Sequence, residues 1–565
     1  MLWNSERNFR PAPLLRQRRF SKDNALYGIG FDSRIWWNSY NVSRLGTILS
    51  ALALALLLPG ANAAPATTGV LNNYSYTQPG YPNSGVSPST LFIITGTGLA
   101  NATSGPVTLQ SSASPGLPTT LNGASISVSV GGATVTPGLY YALPAQLAAV
   151  LPAATPTGTA SVTVTLNGTP SAAFQFQLVP AAPGLDTYWG TGGGMVDATD
   201  NQTGALITFT NSASPMETIV LWGSGLGADP ADSDTVFTSS PHSVNQSSTQ
   251  VYIGGVEATV LYAGSSGYPG LDQIDVTIPV NVAAGCRVSV VVVVAGVASN
   301  FVLLPINTGG GVCSDPIYTY DGNRLTAALT STVTTGIVGI GQLKANGLAG
   351  VTFESVVDGN PYTALGPVSL GGCTVIQSPQ PAQYGGTLTY LSAGAVSMQG
   401  PEGNYSLASM TGTTPDSAVL PISAIPSSGG TFVVTGTGSS PVGSFTVTIN
   451  LAPLMTWTNS SSAKTVTRSA GLSINWSGGQ PSGYIQINGQ SAVTATPNIA
   501  AQFQCFVPQS AGAFTVPPYV LSALPAGSGT VAVESYTADV PFTVSGIDYP
   551  YYNGGNTVTI ASTFQ

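Results

Sequence analysis

Apolar residues alternate with polar ones in short runs along this chain: Ile126, Val128 and Val130 with Ser between them, Val162, Val164 and Leu166 with Thr, and Ile274, Val276 and Ile278 with Asp275 and Thr277. A period of two sends one set of side chains into a core and the other into water, which is the pattern of a half-buried strand and not of a helix. Such runs recur about every 8 to 12 residues between Gly-Gly, Asn-Gly and Pro-Gly turns, which predicts antiparallel β-sandwiches of roughly 100 to 120 residues each.

The chain also repeats itself with a period near 127 residues. Ile93-Ile94-Thr95-Gly96-Thr97-Gly98-Leu99 matches Val220-Leu221-Trp222-Gly223-Ser224-Gly225-Leu226, Val130-Gly131-Gly132 matches Ile253-Gly254-Gly255, and Gln146-Leu147 with Pro152 matches Gln273-Ile274 with Pro279. The Gly-x-Gly step has the look of a phosphate loop, but no helix signal and no βαβ unit follow it. A tight turn that needs a positive φ accounts for it.

The second copy, in Gly223-Ser224-Gly225-Leu226-Gly227, Val251-Tyr252-Ile253-Gly254-Gly255, Val260-Leu261-Tyr262-Ala263-Gly264, Pro269-Gly270-Leu271-Asp272-Gln273-Ile274, Gly285-Cys286 and Ala298-Ser299-Asn300, resembles the Ig-like (IPT/TIG-like) repeat domain of secreted acidobacterial proteins. It departs from that pattern at Asp275, where Asn is common, and at Arg287-Val288-Ser289, where Val-Pro-Val is common. The resemblance implies an Ig-like sandwich and export, and carries over no activity. The first copy is a degenerate relative that lacks the cysteine. The expected fold is therefore all-β: tandem Ig-like antiparallel β-sandwiches followed by a β-rich C-terminal module. The map is an export signal with a long leader at 1–63, sandwiches at 64–183 and 184–308, an irregular β-rich region at 309–455 and a sandwich-like region at 456–565. One weak amphipathic helix is expected at Arg324 to Thr332.

Residues Leu45 to Leu58 form an apolar run after Arg44, followed by Pro59-Gly60 and by Ala61-Asn62-Ala63, the small-x-small pattern read by signal peptidase. Cleavage is expected after Ala63, giving a secreted or cell-surface protein. The leader ahead of the run is long, and Val42-Ser43-Arg44 would make a short one, which points to a start at Val42. No later stretch reaches about 18 apolar residues, so no membrane span is expected in the mature chain; Val290 to Val294 reads as a buried strand.

Only 6% of the 565 residues are charged, against about a quarter in ordinary globular proteins. Eight of the 13 basic residues precede position 45, which leaves 5 basic against 19 acidic residues after Ala63, a net charge of −14. Without a basic footprint, nucleic acid is not an expected partner.

Cys286, Cys313, Cys373 and Cys505 all follow the cleavage site, an even number for an oxidising compartment. Three pairings are possible. Cys286–Cys313 with Cys373–Cys505 keeps each bridge within one structural unit: the hairpin Cys286 to Ile306 turns at Ala295-Gly296, and the flexible Gly309-Gly310-Gly311 lets Cys313 fold back.

Chemistry is sparse. The single histidine, His242, lies in a loop, and no Gly-x-Ser-x-Gly elbow supplies a nucleophile for it. The six glutamates are scattered, so the paired carboxylates of a glycosidase are not indicated. Asp229, Asp232 and Asp234 are dense enough to raise Ca²⁺, though the spacing fits no EF-hand and a solvated acidic loop is the simpler reading; Asp197 and Asp200 are weaker still. Tyrosines gather at the ends of the mature chain, Tyr74, Tyr76 and Tyr81 at one and Tyr549, Tyr551 and Tyr552 at the other. Exposed, they would stack on sugars or anchor a protein; buried, they would close a core. No cofactor, metal or catalytic residue is expected. The reading is a secreted, non-enzymatic β-sandwich protein acting as a surface or extracellular structural or adhesion component. The alternative is a carbohydrate-binding protein that uses those tyrosines, with surface glycans or extracellular proteins as partners.

Overall fold

The structure is a computed structural model that describes residues 64–102, 107–108, 116–239, 242–315, 321–328, 332–343, 346–357, 369–378, 387–408, 416–493 and 499–565. The expected export signal, 1–63, lies outside them. Residues 64–565 form one compact unit, and its described residues are built mainly on strands, most of them paired antiparallel.

In the first sandwich, one sheet runs in the order Ala66–Asn72, Leu91–Thr97, Gln146–Val150, Gly138–Ala142 and Val107–Thr108. The facing sheet is built on Gly158–Leu166 and Ala124–Val130. Ile126, Val128, Val130, Val162 and Val164 lie in the core between them, while Ser129 is exposed. The second sandwich repeats the order of the first sheet with Gly184–Leu185, Thr218–Ser224, Asp272–Thr277 and Val256–Ser265, so the sequence repeat is a repeat of topology. Both copies carry a register shift in the fourth strand of that order, at Leu139/Tyr141 and at Val260/Tyr262. Gly96 and Gly223 sit where an added Cβ would strike the carbonyl oxygens of Ala66 and Gly184. Gly98 and Gly225 take φ of 63° and 103°, conformations that glycine adopts without strain.

The valine run is a strand, Gly285–Val294, buried along its whole length. Its two faces enter different cores: Val288, Val290, Val292 and Val294 fill the second sandwich, and Val291 and Val293 pack with Trp457, Trp476 and Phe503 of the C-terminal region. A strand enclosed on both faces has no water side to mark with polar residues.

Beyond Asn307 the division at 455/456 is corrected by the strand pairing. One eleven-stranded sheet contains Cys373–Ser378, Ile499–Pro508, Tyr484–Val493, Gly527–Tyr536, Tyr549–Phe564, Val333–Leu343, Asn346–Val357 and Thr387–Leu391 in that order. The strand Tyr549–Phe564, called the closing strand below, pairs antiparallel with Gly527–Tyr536 over 555–564 and parallel with Val333–Leu343 over 549–557. It therefore belongs to two lobes. The third lobe packs its part of the sheet against Gly403–Ser406, Val396–Gly400, Gly430–Gly436 and Phe445–Leu451. The fourth packs the rest against Thr456–Trp457, Leu472–Ser477 and Ala513–Val516. A helix does form near the expected place, at Gly322–Ala328.

Three glycines inside strands of these lobes have a common cause. Gly336, Gly436 and Gly489 sit directly opposite Phe353, Phe445 and Phe503. In each pair the phenyl ring lies where the glycine's Cβ would be, so the ring covers the backbone that the glycine leaves bare. Gly336→Ala, Gly436→Ala and Gly489→Ala should each cost about 1–3 kcal/mol by displacing the ring. Gly309→Ala, which meets no atom within 4 Å, should be neutral in the same denaturant melts.

Candidate functional site

The acidic loop folds into a clasp between the two sandwiches. It leaves the strand Thr218–Ser224 at Gly225 and is held by side chains that cap its own backbone. Asp232 Oδ1 accepts from Ser233 N (2.8 Å) and Thr238 Oγ1 (2.5 Å), and its Oδ2 accepts from Ser265 Oγ (2.5 Å). Asp229 Oδ1 accepts from Ala231 N (3.2 Å), while its Oδ2 faces His242 Nε2 at 2.7 Å. Asp234 turns away to the first sandwich, accepting from Ala153 N at 2.9 Å. Thus the ligand atoms that converge, within 4.8 Å of one another, are those of Asp229, Asp232 and His242, and the expected trio of aspartates is corrected: Asp234 is replaced by the chain's single histidine. Asp200 accepts from Gln202 N, Thr203 N and Thr203 Oγ1 in a local exposed turn.

The clasp holds the first sandwich at several further points. Asp229 N donates to Ser89 Oγ (2.9 Å), Leu117 N to Thr235 O (2.8 Å), and Tyr140 Oη to Pro269 O (2.8 Å). Asn72 Nδ2 donates to Ala182 O and Ser224 O, and Leu91 N to Ser224 Oγ. Asp272 lies beneath: part of its surface is exposed, but its carboxylate is enclosed and accepts from Leu226 N at 2.9 Å. No Lys or Arg occurs between Arg44 and Arg287, so His242, which faces Asp229, is the one basic side chain that this stretch supplies to these carboxylates. Burial first, then the charges of Asp229 and Asp232, push the Asp272 carboxyl up to about 7, with hydrogen bonds from Leu226 and Gly225 opposing. Burial likewise raises Asp229 and Asp234.

Both disulfides are local to a junction. Cys286 bonds to Cys313 and Cys373 to Cys505; loop-closure entropy puts their contributions at about 3.5 and 5 kcal/mol. The first packs with Met195, Phe209, Leu325, Val333, Tyr484 and Phe506, where the second sandwich meets the later lobes. Arg287 beside it is only 1% exposed, and its charge acts on Asp539. Burial still pushes the Asp539 carboxyl up to about 7.

The tyrosines do not form one aromatic surface. Tyr74 and Tyr81 are buried, at 7% and 3% exposure, which corrects the expectation that they could stack on sugars. Tyr81 Oη donates to Ala500 O (2.7 Å) and accepts from Ala500 N (3.2 Å), tying the N-terminal segment to the fourth lobe. Tyr76 is half-buried at a φ of 53°. Tyr549 lies under the Arg324 guanidinium, 5.3 Å from its ring centre. Tyr552 packs into the third lobe beside Phe542, and Tyr551, one residue earlier on the closing strand, faces the other way. Sequence reasoning missed Asp272, Thr238 and Ser265, because nothing local marks a strand-end aspartate or a loop hydroxyl as part of a clasp.

No family model matches the chain, and no curated protein does. Among solved structures, the FN1–FN3 domains of chicken CNTN1 are similar over 66% of this chain and 98% of that one, at 11% identity and a TM-score of 0.14. Titin domains A168–A170 are similar over 66% and 94%, at 11% identity and a TM-score of 0.13. A γ-CGTase from Alkalophilic bacillus clarkii is similar over 66% of this chain and 39% of its own, at 12% identity and a TM-score of 0.17. These likenesses reach no further than the all-β sandwich class that the strand pairing itself displays.

Two outcomes follow. The named oxygens of Asp229 and Asp232 already receive donors or face His242, so millimolar calcium should shift the melting curve no more than sodium chloride of matched ionic strength; a calcium-specific rise in Tm contradicts this. The folded chain also holds protons on Asp272 and Asp539 more tightly than the unfolded chain, whose carboxyls titrate near 3.8. The stability these groups contribute is present below the unfolded value and is lost as pH rises through about 7. Tm should therefore be higher near pH 5 than near pH 8, and Asp272→Asn with Asp539→Asn should flatten that slope. A profile that rises with pH in the parent, and is unchanged in the double variant, refutes it.

Proposed function

We propose that this chain is an exported, non-enzymatic component of the cell surface or extracellular matrix, a rigid multilobed β-sandwich body with a structural or adhesive role. The observation that carries the reading is how the lobes are joined. Tyr81, Asn72, Asn83 and Asn300 hold main-chain groups of other strands and lobes through neutral hydrogen bonds, and two disulfides fix the later junctions. Neutral contacts of this kind are insensitive to the salt that screens ion pairs, and disulfides persist in oxidising compartments. The apolar run ahead of Ala63 supports export. Among the described residues no helix is long and apolar enough to cross a membrane.

Fractionation of the producing cells with N-terminal sequencing tests this. The protein should be recovered outside the cytoplasm, beginning at Ala64, with none of its four cysteines alkylated unless first reduced. A cytoplasmic protein with free thiols removes the reading.

A further inference from the structure

Phe445–Leu451 is the outermost strand of the third lobe's smaller, four-stranded sheet. It pairs with Gly430–Gly436 at all seven of its positions, without a register shift. Its other edge has no strand: outside that pair, no main-chain group of 445–451 bonds to a described residue. Thr446, Thr448 and Asn450 are exposed, while Phe445, Val447, Ile449 and Leu451 enter the lobe's core. A main-chain group shut away from water is nearly always paired, so the unpaired row along this edge faces water.

Such a row is a template for another strand, and proteins blunt it with short length, charge, proline or a bulge. Other edge strands of this chain carry those devices. Ala66–Asn72 is broken by a register shift between Thr67 and Gly69. Asp416–Pro421 contains an aspartate and ends on a proline, and Gly403–Ser406 and Ala513–Val516 have four residues each. Phe445–Leu451 has none of them: it is seven residues long, with no charge, no proline and no bulge.

Charge selects the occupant. The chain carries a net charge of −9, yet no Asp, Glu, Lys, Arg or His lies between Asp416 and Lys464. Two copies of so acidic a protein repel each other elsewhere, and at this edge they meet with no charge on either strand. A cationic foreign strand finds no carboxylate on this one to hold it. The strand also matches itself. About a two-fold axis at Thr448, Thr448 meets its own copy, Thr446 meets Asn450, Val447 meets Ile449 and Phe445 meets Leu451. Hydroxyl and amide groups then share the wet face and apolar groups the core face. A two-fold contact of this kind closes on itself and stops at a dimer.

We propose that the edge Phe445–Leu451 binds a second copy of this chain, joining the two four-stranded sheets into one continuous antiparallel sheet. The inference stands on the edge itself and not on the surface-component reading, so a dimer recovered from the cytoplasm would sink that reading and leave this one.

Sedimentation equilibrium of the purified full chain tests it. The parent should have twice the monomer mass. Thr448→Lys sets two lysines directly opposite each other across the axis and should weaken association about tenfold. Its Tm, read at a dilution where the parent is monomeric, should match the parent's, because Thr448 is exposed. The double variant Thr446→Lys with Asn450→Glu places opposite charges across the same register and should remain a dimer, which keeps the test valid if Thr448→Lys fails to fold. A parent that is monomeric, including one that instead takes up an unrelated extended peptide at this edge, overturns the proposal. So does a folded Thr448→Lys variant that associates as tightly as the parent, or a double variant that is folded and monomeric.

Discussion

The C-terminal half of this protein depends on one strand. Tyr549–Phe564 lends one edge of its backbone to Gly527–Tyr536 and the other to Val333–Leu343, and side chains along it enter the cores of both lobes. Backbone hydrogen bonds are obligatory, and a buried strand that loses its neighbour leaves a row of unpaired groups. Neither lobe completes its sheet without the last residues of the chain. Because the pairing with Val333–Leu343 joins Thr335 to Tyr549, about 200 positions away, the chain closes a large loop before the third lobe is whole, a topology associated with slow folding.

A second constraint is the scarcity of positive charge. With no Lys or Arg between Arg44 and Arg287, the first two sandwiches cannot use ordinary ion pairs at their junction. They use carboxylates that accept from N–H and O–H groups, a single histidine facing Asp229, and side-chain amides that bridge main-chain atoms. Carboxylates held this way stay partly desolvated, and their raised pKa values are the electrostatic consequence of the composition.

The alternating runs at 126–130, 162–166 and 274–278 were legible because each strand has one wet face, and the repeat was legible because both copies turn at the same glycines. The valine run was legible as a strand but not as the boundary between two cores, since burial on both faces erases the alternation that tells one side from the other. The candidate loop was legible only in part. Asp229 and Asp232 stand out by spacing, yet the third member of the cluster is His242, brought in by the turn into the strand at Thr249, while Asp234 reaches across to Ala153. Tyr74 and Tyr81 looked like surface aromatics because they lie near the end of the mature chain, and terminal position says nothing about what folds over it.

By itself, then, the sequence determined the strand-forming class, the tandem sandwiches and a charge inventory that leaves few ways to build a polar site, because all of these are local or additive properties of the residues. Tertiary structure alone decided that the later regions share one sheet and that Phe353, Phe445 and Phe503 cover the glycines opposite them. Those facts are cross-strand registers between distant segments. Register is set by the sum of many weak pairings over the whole sheet, and no single stretch of chain carries it.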